Sequence, residues 1–180
     1  MSPKEYLVQI INCTFEKHAE EILAILNDAI LNSTALYDYK PRSMENMANW
    51  FNVKNDNQFP VIGIIDDEEN LLGFASYGTF RAWPAYKYSI EHSVYIHKNA
   101  RGKGLGRTLL EHLIALAVEQ NYHVMIGGID ITNTGSIALH QKLGFIHSGT
   151  IKQAAFKFGK WLDLGFYQLT LPTPQNPIDG

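Results

Sequence analysis

Several things are scarce in this 180-residue chain, and each scarcity excludes something. A single cysteine, Cys13, leaves no internal disulfide and suits a reducing cytosol. No run approaches eighteen consecutive apolar residues, so no membrane span is expected. The opening segment, MSPKEYLVQIINCTFEKHAEE, lacks the long apolar stretch and small-residue cleavage site of a signal peptide. The sequons at Asn12 and Asn32 therefore read as chance matches. There is no basic excess: fifteen Lys+Arg against eighteen Asp+Glu give a formal charge of −3, which argues against a dedicated nucleic-acid binder. Repeats and low-complexity tracts are absent. With 46% hydrophobic residues the chain is too apolar for disorder, and its length suits one domain that buries its own core. The expectation is a soluble, cytoplasmic, single-domain protein.

The hydrophobic spacing then lays out the elements. Tyr6 to Ile10 reads as a strand, and His18 to Ile30 as an amphipathic helix. A polar and aromatic loop from Asn32 to Tyr39 follows, and Ser43 with Asn46 opens a second helix toward Phe51. Val61–Ile65 and Leu71–Tyr77 form a hairpin around a five-residue acidic loop. After the aromatic connection 81–88 comes a strand, Glu91–Ile96. On it His92, Val94 and Ile96 share one face, and Glu91, Ser93 and Tyr95 the other. A strong helical stripe runs from Leu105 to Val118 and a buried strand from Val124 to Ile131. Asn133 caps a helix through Lys142, and Gly144 ends it. Strands near 145–151 and 163–171 complete an order β-α-α-β-β-β-α-β-α-β-β, a mixed α/β sheet with helices on both faces. Three prolines in 172–177 predict a tail that lies on the surface or is mobile.

The chemistry concentrates where strand Glu91–Ile96 passes through Arg101-Gly102-Lys103-Gly104-Leu105-Gly106-Arg107 into a helix. Alternating glycines let backbone N–H groups approach a ligand, and the helix N-terminus adds partial positive charge. Lys98, Arg101, Lys103 and Arg107 surround the turn, and no acidic residue occurs from His92 to Leu110. Such a turn suits a pyrophosphate; the plainer alternative is a connector with a solvated basic face. Neither a Rossmann nor a Walker A spacing is met. The seven histidines show no metal-ligand spacing, and nothing near Cys13 would activate it as a nucleophile.

Arg101-x-x-Gly104-x-Gly106, together with Asn133-x-x-Ser136-Ile-Ala-Leu139-His140-x-x-Leu143-Gly144-Phe145, resembles the GCN5-related N-acetyltransferases over roughly 6–171. Ser33-Thr34-Ala35, Glu91-His92-Ser93-Val94-Tyr95-Ile96 and Lys157-Phe158-Gly159-Lys160-Trp161-Leu162-Asp163 look like its phosphinothricin and methionine sulfoximine acetyltransferase branch. The resemblance implies an N-acetyltransferase domain over 1–171, a proline-rich tail over 172–180, and a sheet splayed at the cofactor strand. It implies acetyl-CoA as donor. Pantetheine would pair with the backbone of Val94, Tyr95 and Ile96. The diphosphate would lie on Arg101, Gly102, Lys103, Gly104, Leu105, Gly106 and Arg107. Asn133 and Ser136 would touch the thioester end or serve only as a helix cap, two roles that can coexist.

An amine attacks a thioester only when neutral, so a base is required. Glu91 matches the branch's glutamate in that role, against the alternative of an ordinary strand-end carboxylate. The Val94 N–H is the candidate oxyanion donor. His140 stands where many family members have a tyrosine general acid; it agrees with the narrower branch, and a satisfied structural histidine is the other reading. Arg81 can grip a carboxylate, phosphinate or sulfoximine, or simply stack on Trp83 or Tyr86. Thr34, Tyr37, Phe80 and Trp83 join Arg81 and Glu91 as candidate acceptor contacts. The branch also implies a homodimer in which 157–163 approaches the cofactor and the partner subunit; an exposed Trp161 would fit an interface, a buried one the core. The expected activity is acetylation of a small amino-acid-like acceptor by direct attack in a ternary complex. The rivals are acetylation of another amine (a protein N-terminus, polyamine or aminoglycoside) and a non-catalytic coenzyme A module. A cationic acceptor would want an acidic pocket, whereas this one carries Arg81.

Overall fold

The computed structural model describes residues 7–180, so Tyr6 of the expected first strand lies outside the described residues. The elements are β1 (Gln9–Asn12), α1 (Phe15–Asn32), α2 (Met44–Asp56), β2 (Val61–Ile65), β3 (Leu71–Thr79), β4 (Ser89–Ile96), α3 (Leu105–Glu119), β5 (Val124–Asp130), α4 (Thr134–Lys142), β6 (Ile146–Lys157) and β7 (Lys160–Thr170). They build one open seven-stranded sheet in the order β1-β2-β3-β4-β5-β7-β6. Every neighbouring pair is antiparallel except β4–β5, which α3 connects as a parallel crossover.

Each face of the sheet has its own core. Leu109, Leu110 and Leu113 of α3 pack on Ile62, Ile64, Ala75, Ile90 and Met125. Ile22 and Leu26 of α1, with Met47 and Phe51 of α2, pack on Val61, Ile65 and Phe74. Strand β2 is buried on both faces, as its uninterrupted apolar run requires. Ser43 and Asn46 form a reciprocal capping box at α2. Gly144 adopts φ +89° just past α4, the left-handed stop that its position predicts.

The last hairpin differs from expectation. β6 runs on past 151 to Lys157, β7 starts at Lys160 rather than 163, and the two meet at a two-residue turn, Phe158–Gly159, with φ of +53° and +73°. Positive φ at both central residues matches strand twist, so the turn tightens what the sequence suggests is a loop. Two register shifts, at 147/149 and 151/155, and polar residues on both faces of β6 hide its period. The proline-rich tail is docked: the Thr173 hydroxyl donates to Tyr122 O at 2.6 Å and the Tyr88 hydroxyl accepts from Ile178 N at 3.1 Å. Among the described residues no helix is long and apolar enough to cross a membrane.

Candidate active site

The site exists because β4 and β5 part company. Their pairing covers only Ser89–Val124, Ile90–Met125 and Glu91–Ile126, while β4 continues on β3 to Ile96 and β5 continues on β7 to Asp130. A cavity of about 900 Å³ passes through the opening, walled by both strands, the α1–α2 loop, α4 and the turn before α3. Backbone parity fixes which groups face it. Tyr88 O accepts from His123 and Val124 on the β5 side, whereas His97 N donates to Leu72 O on the β3 side. Alternate residues point alike, so the N–H and C=O groups of His92, Val94 and Ile96 turn toward the splay; those of Tyr95 turn toward β3. Only the side chain of Tyr95 reaches the cavity, packed on Phe74.

The side chains divide in the same way, as two adjacent glycines of β5 show. A Cβ on Gly127 would meet His92 Nε2 at 3.0 Å and His140 Nε2 at 3.3 Å. One on Gly128, facing the other way, would meet Glu91 Oε1 at 3.2 Å. The histidines thus occupy the α3–α4 side of the opening and Glu91 the α1–α2 side.

On the α3–α4 side, Gly102 and Gly104 adopt φ of +77° and +78° with open space above them. Left-handed backbone, rather than crowding, demands glycine there. Gly104 also leaves the start of α3 without a side-chain cap. Arg101, Gly102 and Gly106 line the cavity, whereas Leu105 is buried in the core and Lys103, Gly104 and Arg107 lie on the exposed turn beyond the wall. Arg101 pairs with Asp28 of α1 at 3.1 Å and Arg107 with Glu111 at 2.8 Å. Asn133 caps α4, accepting from Ser136 N at 3.1 Å, and both residues also line the cavity.

His140, one turn beyond Ser136, is buried against His92. Its Nδ1 lies 2.7 Å from the Ser136 carbonyl, which only accepts, so Nδ1 carries the proton. Its Nε2 therefore receives a hydrogen bond from His92 Nε2 at 3.0 Å, leaving His92 Nδ1 proton-free and without a partner among the described residues. Burial lowers the pKa of both rings, and repulsion from a protonated His140 would lower that of His92 further. The pair is neutral, stacked and edge-packed on Phe145, and both ring nitrogens of His140 are engaged.

On the opposite side Glu91 is half-buried. Burial raises its pKa, and the Arg81 charge pulls it back. Arg81 itself is exposed and stacks on Phe80, 4.6 Å from the ring, rather than on Trp83 or Tyr86. Phe80 in turn packs edge-on against Tyr86 and Phe166, and Trp83 is 73% exposed. None of Phe80, Arg81 and Trp83 lines the cavity wall; Thr34 and Tyr37 do. Residues that sequence reasoning did not assign to the site complete it: Asp130 at the end of β5 and Gly128 on this side, Gly127 on the histidine side, and Lys157, whose Nζ holds the loop that carries Thr34 and Tyr37. Two adjacent glycines inside a buried strand were a readable sign of close approach; the two charged residues had no local signal. Cys13 is buried with its thiol pushed up to about 12, which keeps it protonated and inert.

Residues 21–145 match the family model of the acetyltransferase (GNAT) family. The chain belongs to the GNAT family. It is 44% identical over 157 residues to the L-methionine sulfoximine/L-methionine sulfone acetyltransferase of Pseudomonas aeruginosa, covering 87% of this chain and 91% of that one. A structure from Acinetobacter baylyi, described only as a candidate acetyltransferase, superposes with TM-score 0.97 at 63% identity, over 98% and 99% of the two chains. A GNAT phosphinothricin acetyltransferase of Sinorhizobium meliloti, crystallised with acetyl-CoA, has TM-score 0.88 and 33% identity over 91% and 88%. GNAT enzymes are acetyl-CoA-dependent N-acetyltransferases, and this fold and its splayed sheet are theirs.

Proposed function

We propose that this GNAT enzyme acetylates the α-amine of a small amino-acid-like acceptor of the methionine sulfoximine, methionine sulfone or phosphinothricin type, by direct attack in a ternary complex. The observation that carries the reading is the splay itself, with the Glu91 carboxylate on one side and outward-turned backbone N–H groups along its edge. Coenzyme A fits the other side: the strand edge beyond the β4–β5 pairing turns the backbone groups of Val94 and the Ile96 N–H toward an extended arm (the Ile96 carbonyl accepts from Arg101 Nε at 3.3 Å), and the Gly102–Gly104 turn offers uncapped N–H groups to a pyrophosphate. When bound, acetyl-CoA supplies the activated acetyl group. Glu91 takes the proton of the acceptor ammonium, and its raised pKa brings it closer to the amine's. The Val94 N–H donates to the carbonyl oxygen as negative charge develops there. The leaving sulfur would lie on the His140 side. Both ring nitrogens of His140 are engaged, so the second proton that the attacking nitrogen loses as the amide forms would go to the sulfur itself. Arg81, beyond Glu91, attracts the acceptor's anionic group.

Two further readings accompany this one. The exposed Phe156 and Trp161 pack edge-on against each other on the β6–β7 hairpin, where Ile151 and Phe158 are exposed as well, and this apolar surface suits a homodimer. A buried free thiol and a donor of central metabolism suit the cytoplasm.

Thiol release from acetyl-CoA across amino acids, sulfoximines, phosphinates and polyamines tests the proposal. Turnover of the amino-acid-like acceptors is expected, with Arg81→Ala raising their KM. Exclusive use of polyamines would refute it, as would trapping of an acetylated side chain in a single turnover. For Glu91→Gln, kcat/KM should fall roughly 10²–10⁴-fold. The wild-type acid limb, displaced above the ordinary carboxylate value of 4.5 by burial, should vanish with it. Full activity of that variant across pH 6–9 would exclude Glu91 as the base.

A further inference from the structure

The Glu91 side of the opening holds two buried polar atoms that the acetyl-transfer reading leaves unused. Asp130 is 4% exposed; its Oδ1 accepts from Thr132 N at 3.0 Å, and its Oδ2 has no hydrogen-bond partner among the described residues. The Tyr37 hydroxyl likewise has none, although the Asp130 charge is close enough to raise its pKa after burial has done so. Both side chains line the cavity. Buried polar atoms are nearly always paired, so two orphans on one wall mark a place made for a ligand's polar groups. The carboxylate is held ionised despite burial: the Thr34 and Thr132 hydroxyls, the Thr132 N–H and the Lys160 charge together outweigh desolvation. Its free oxygen is therefore an acceptor only, and the natural complement to it is an N–H or O–H donor. The phenol can donate to an oxygen.

Their position relative to the base is set by the strand. Gly128 and Asp130 lie on the same face of β5, and Glu91 Oε1 sits over Gly128. Two residues along a strand span about 7 Å. That matches, in order of magnitude, the reach from an α-amine to the head of a methionine-length side chain.

We infer that Asp130 and Tyr37 form the subsite for the distal head of the acceptor side chain, and that they select a head bearing both an N–H donor and an oxygen acceptor, as a sulfoximine does. The inference rests on the acetyl-transfer reading above. In this subsite Asp130 Oδ2 accepts the sulfoximine N–H and Tyr37 donates to the sulfoximine oxygen. A sulfone offers only oxygens, leaving the carboxylate unpaired, and a phosphinate brings a negative charge against it. A site built to hydrogen-bond an N–H rejects analogues that lack it.

Steady-state kinetics of wild type, Asp130→Asn and Tyr37→Phe with methionine sulfoximine, methionine sulfone and phosphinothricin test this. Wild type should prefer the sulfoximine. Asp130→Asn should lower its kcat/KM by roughly ten- to hundredfold, through KM, the scale of a lost charged hydrogen bond. The sulfone should change little and phosphinothricin should improve, because an amide can donate to an oxygen and carries no charge. Tyr37→Phe, which removes one hydroxyl and keeps the ring, should weaken all three acceptors; it carries the test alone if Asp130→Asn does not fold. The KM for acetyl-CoA should stay constant in both. Equal losses on all three acceptors in Asp130→Asn, or a raised acetyl-CoA KM in either variant, would overturn the assignment. If wild type acetylates none of the three, the acetyl-transfer reading fails by itself. Calorimetry of methionine sulfoximine with the coenzyme A-saturated protein then decides the subsite: binding that Asp130→Asn or Tyr37→Phe weakens supports it, and no binding or unchanged binding refutes it.

Discussion

Lys157 closes β6 before the hairpin turn, and its buried ammonium has no carboxylate within ion-pair distance among the described residues, the Asp38 charge acting on it only from farther off. The Nζ instead donates to three carbonyls: Ile30 O at 2.7 Å, Ser33 O at 2.8 Å and Leu36 O at 2.6 Å. These belong to the end of α1 and the loop that follows. The last turn of α1 has no basic residue of its own, so a lysine 127 positions away supplies the cation that a helix C-terminus favours. The Tyr39 hydroxyl adds a bond to Phe156 O at 2.6 Å. Together they pin the wall that carries Thr34 and Tyr37. Lys157→Met keeps the length of the side chain and removes the donors. Each carbonyl left unsatisfied costs about 1–3 kcal/mol, and water entering the loosened loop recovers part, so a net loss of about 2–4 kcal/mol is expected. Urea denaturation measures it as a lower midpoint at unchanged slope. Because the loop lines the acceptor side, acceptor KM should rise while acetyl-CoA KM holds. A stability loss below about 1 kcal/mol with unchanged acceptor KM would show that the three short contacts are incidental.

Gly127→Ala places a methyl 3.0 Å from His92 Nε2 and 3.3 Å from His140 Nε2, so the ring pair must shift. It should lower kcat more than either KM, with His92 and His140 NMR signals displaced; unmoved imidazole resonances would refute the close approach. Trp161 is 60% exposed on the apolar hairpin, so Trp161→Lys should convert the proposed dimer to monomer in sedimentation without unfolding it. A wild type that sediments as a monomer would remove that interface.

Much of the donor half of the site is legible in the sequence because it is local. One run of chain, from Glu91 to Arg107, contains the splayed strand, the glycine turn and the helix start, so spacing alone reports their arrangement. The alternation puts His92, Val94 and Ile96 on one face, and in the structure Val94 and Ile96 pack on the α3 core, while Asn133 and Gly144 bound α4 as their residue types require. The hairpin was less legible. β6 lies at the sheet edge, and its exposed, bulged residues carry no hydrophobic period to read.

The acceptor half is only partly legible, Thr34, Tyr37 and Glu91 being expected there and Asp130 not, for a physical reason. Thr34 and Tyr37 come from the α1–α2 loop, which Lys157 holds from the far end of β6, Glu91 from β4 and Asp130 from β5. No window of sequence contains two of these segments, and each residue taken alone looks like an ordinary loop aromatic or strand-end charge. What makes Asp130 exceptional is its surroundings: a carboxylate kept ionised with one oxygen unspent. Donor chemistry built from one contiguous segment tolerates little change, since each glycine and backbone group serves the same ligand. Acceptor chemistry divided among four segments can be altered one side chain at a time without disturbing the donor. Acceptor preference in this fold is therefore best sought in the side chains facing Glu91 across the splay, where Asp130 and Tyr37 stand.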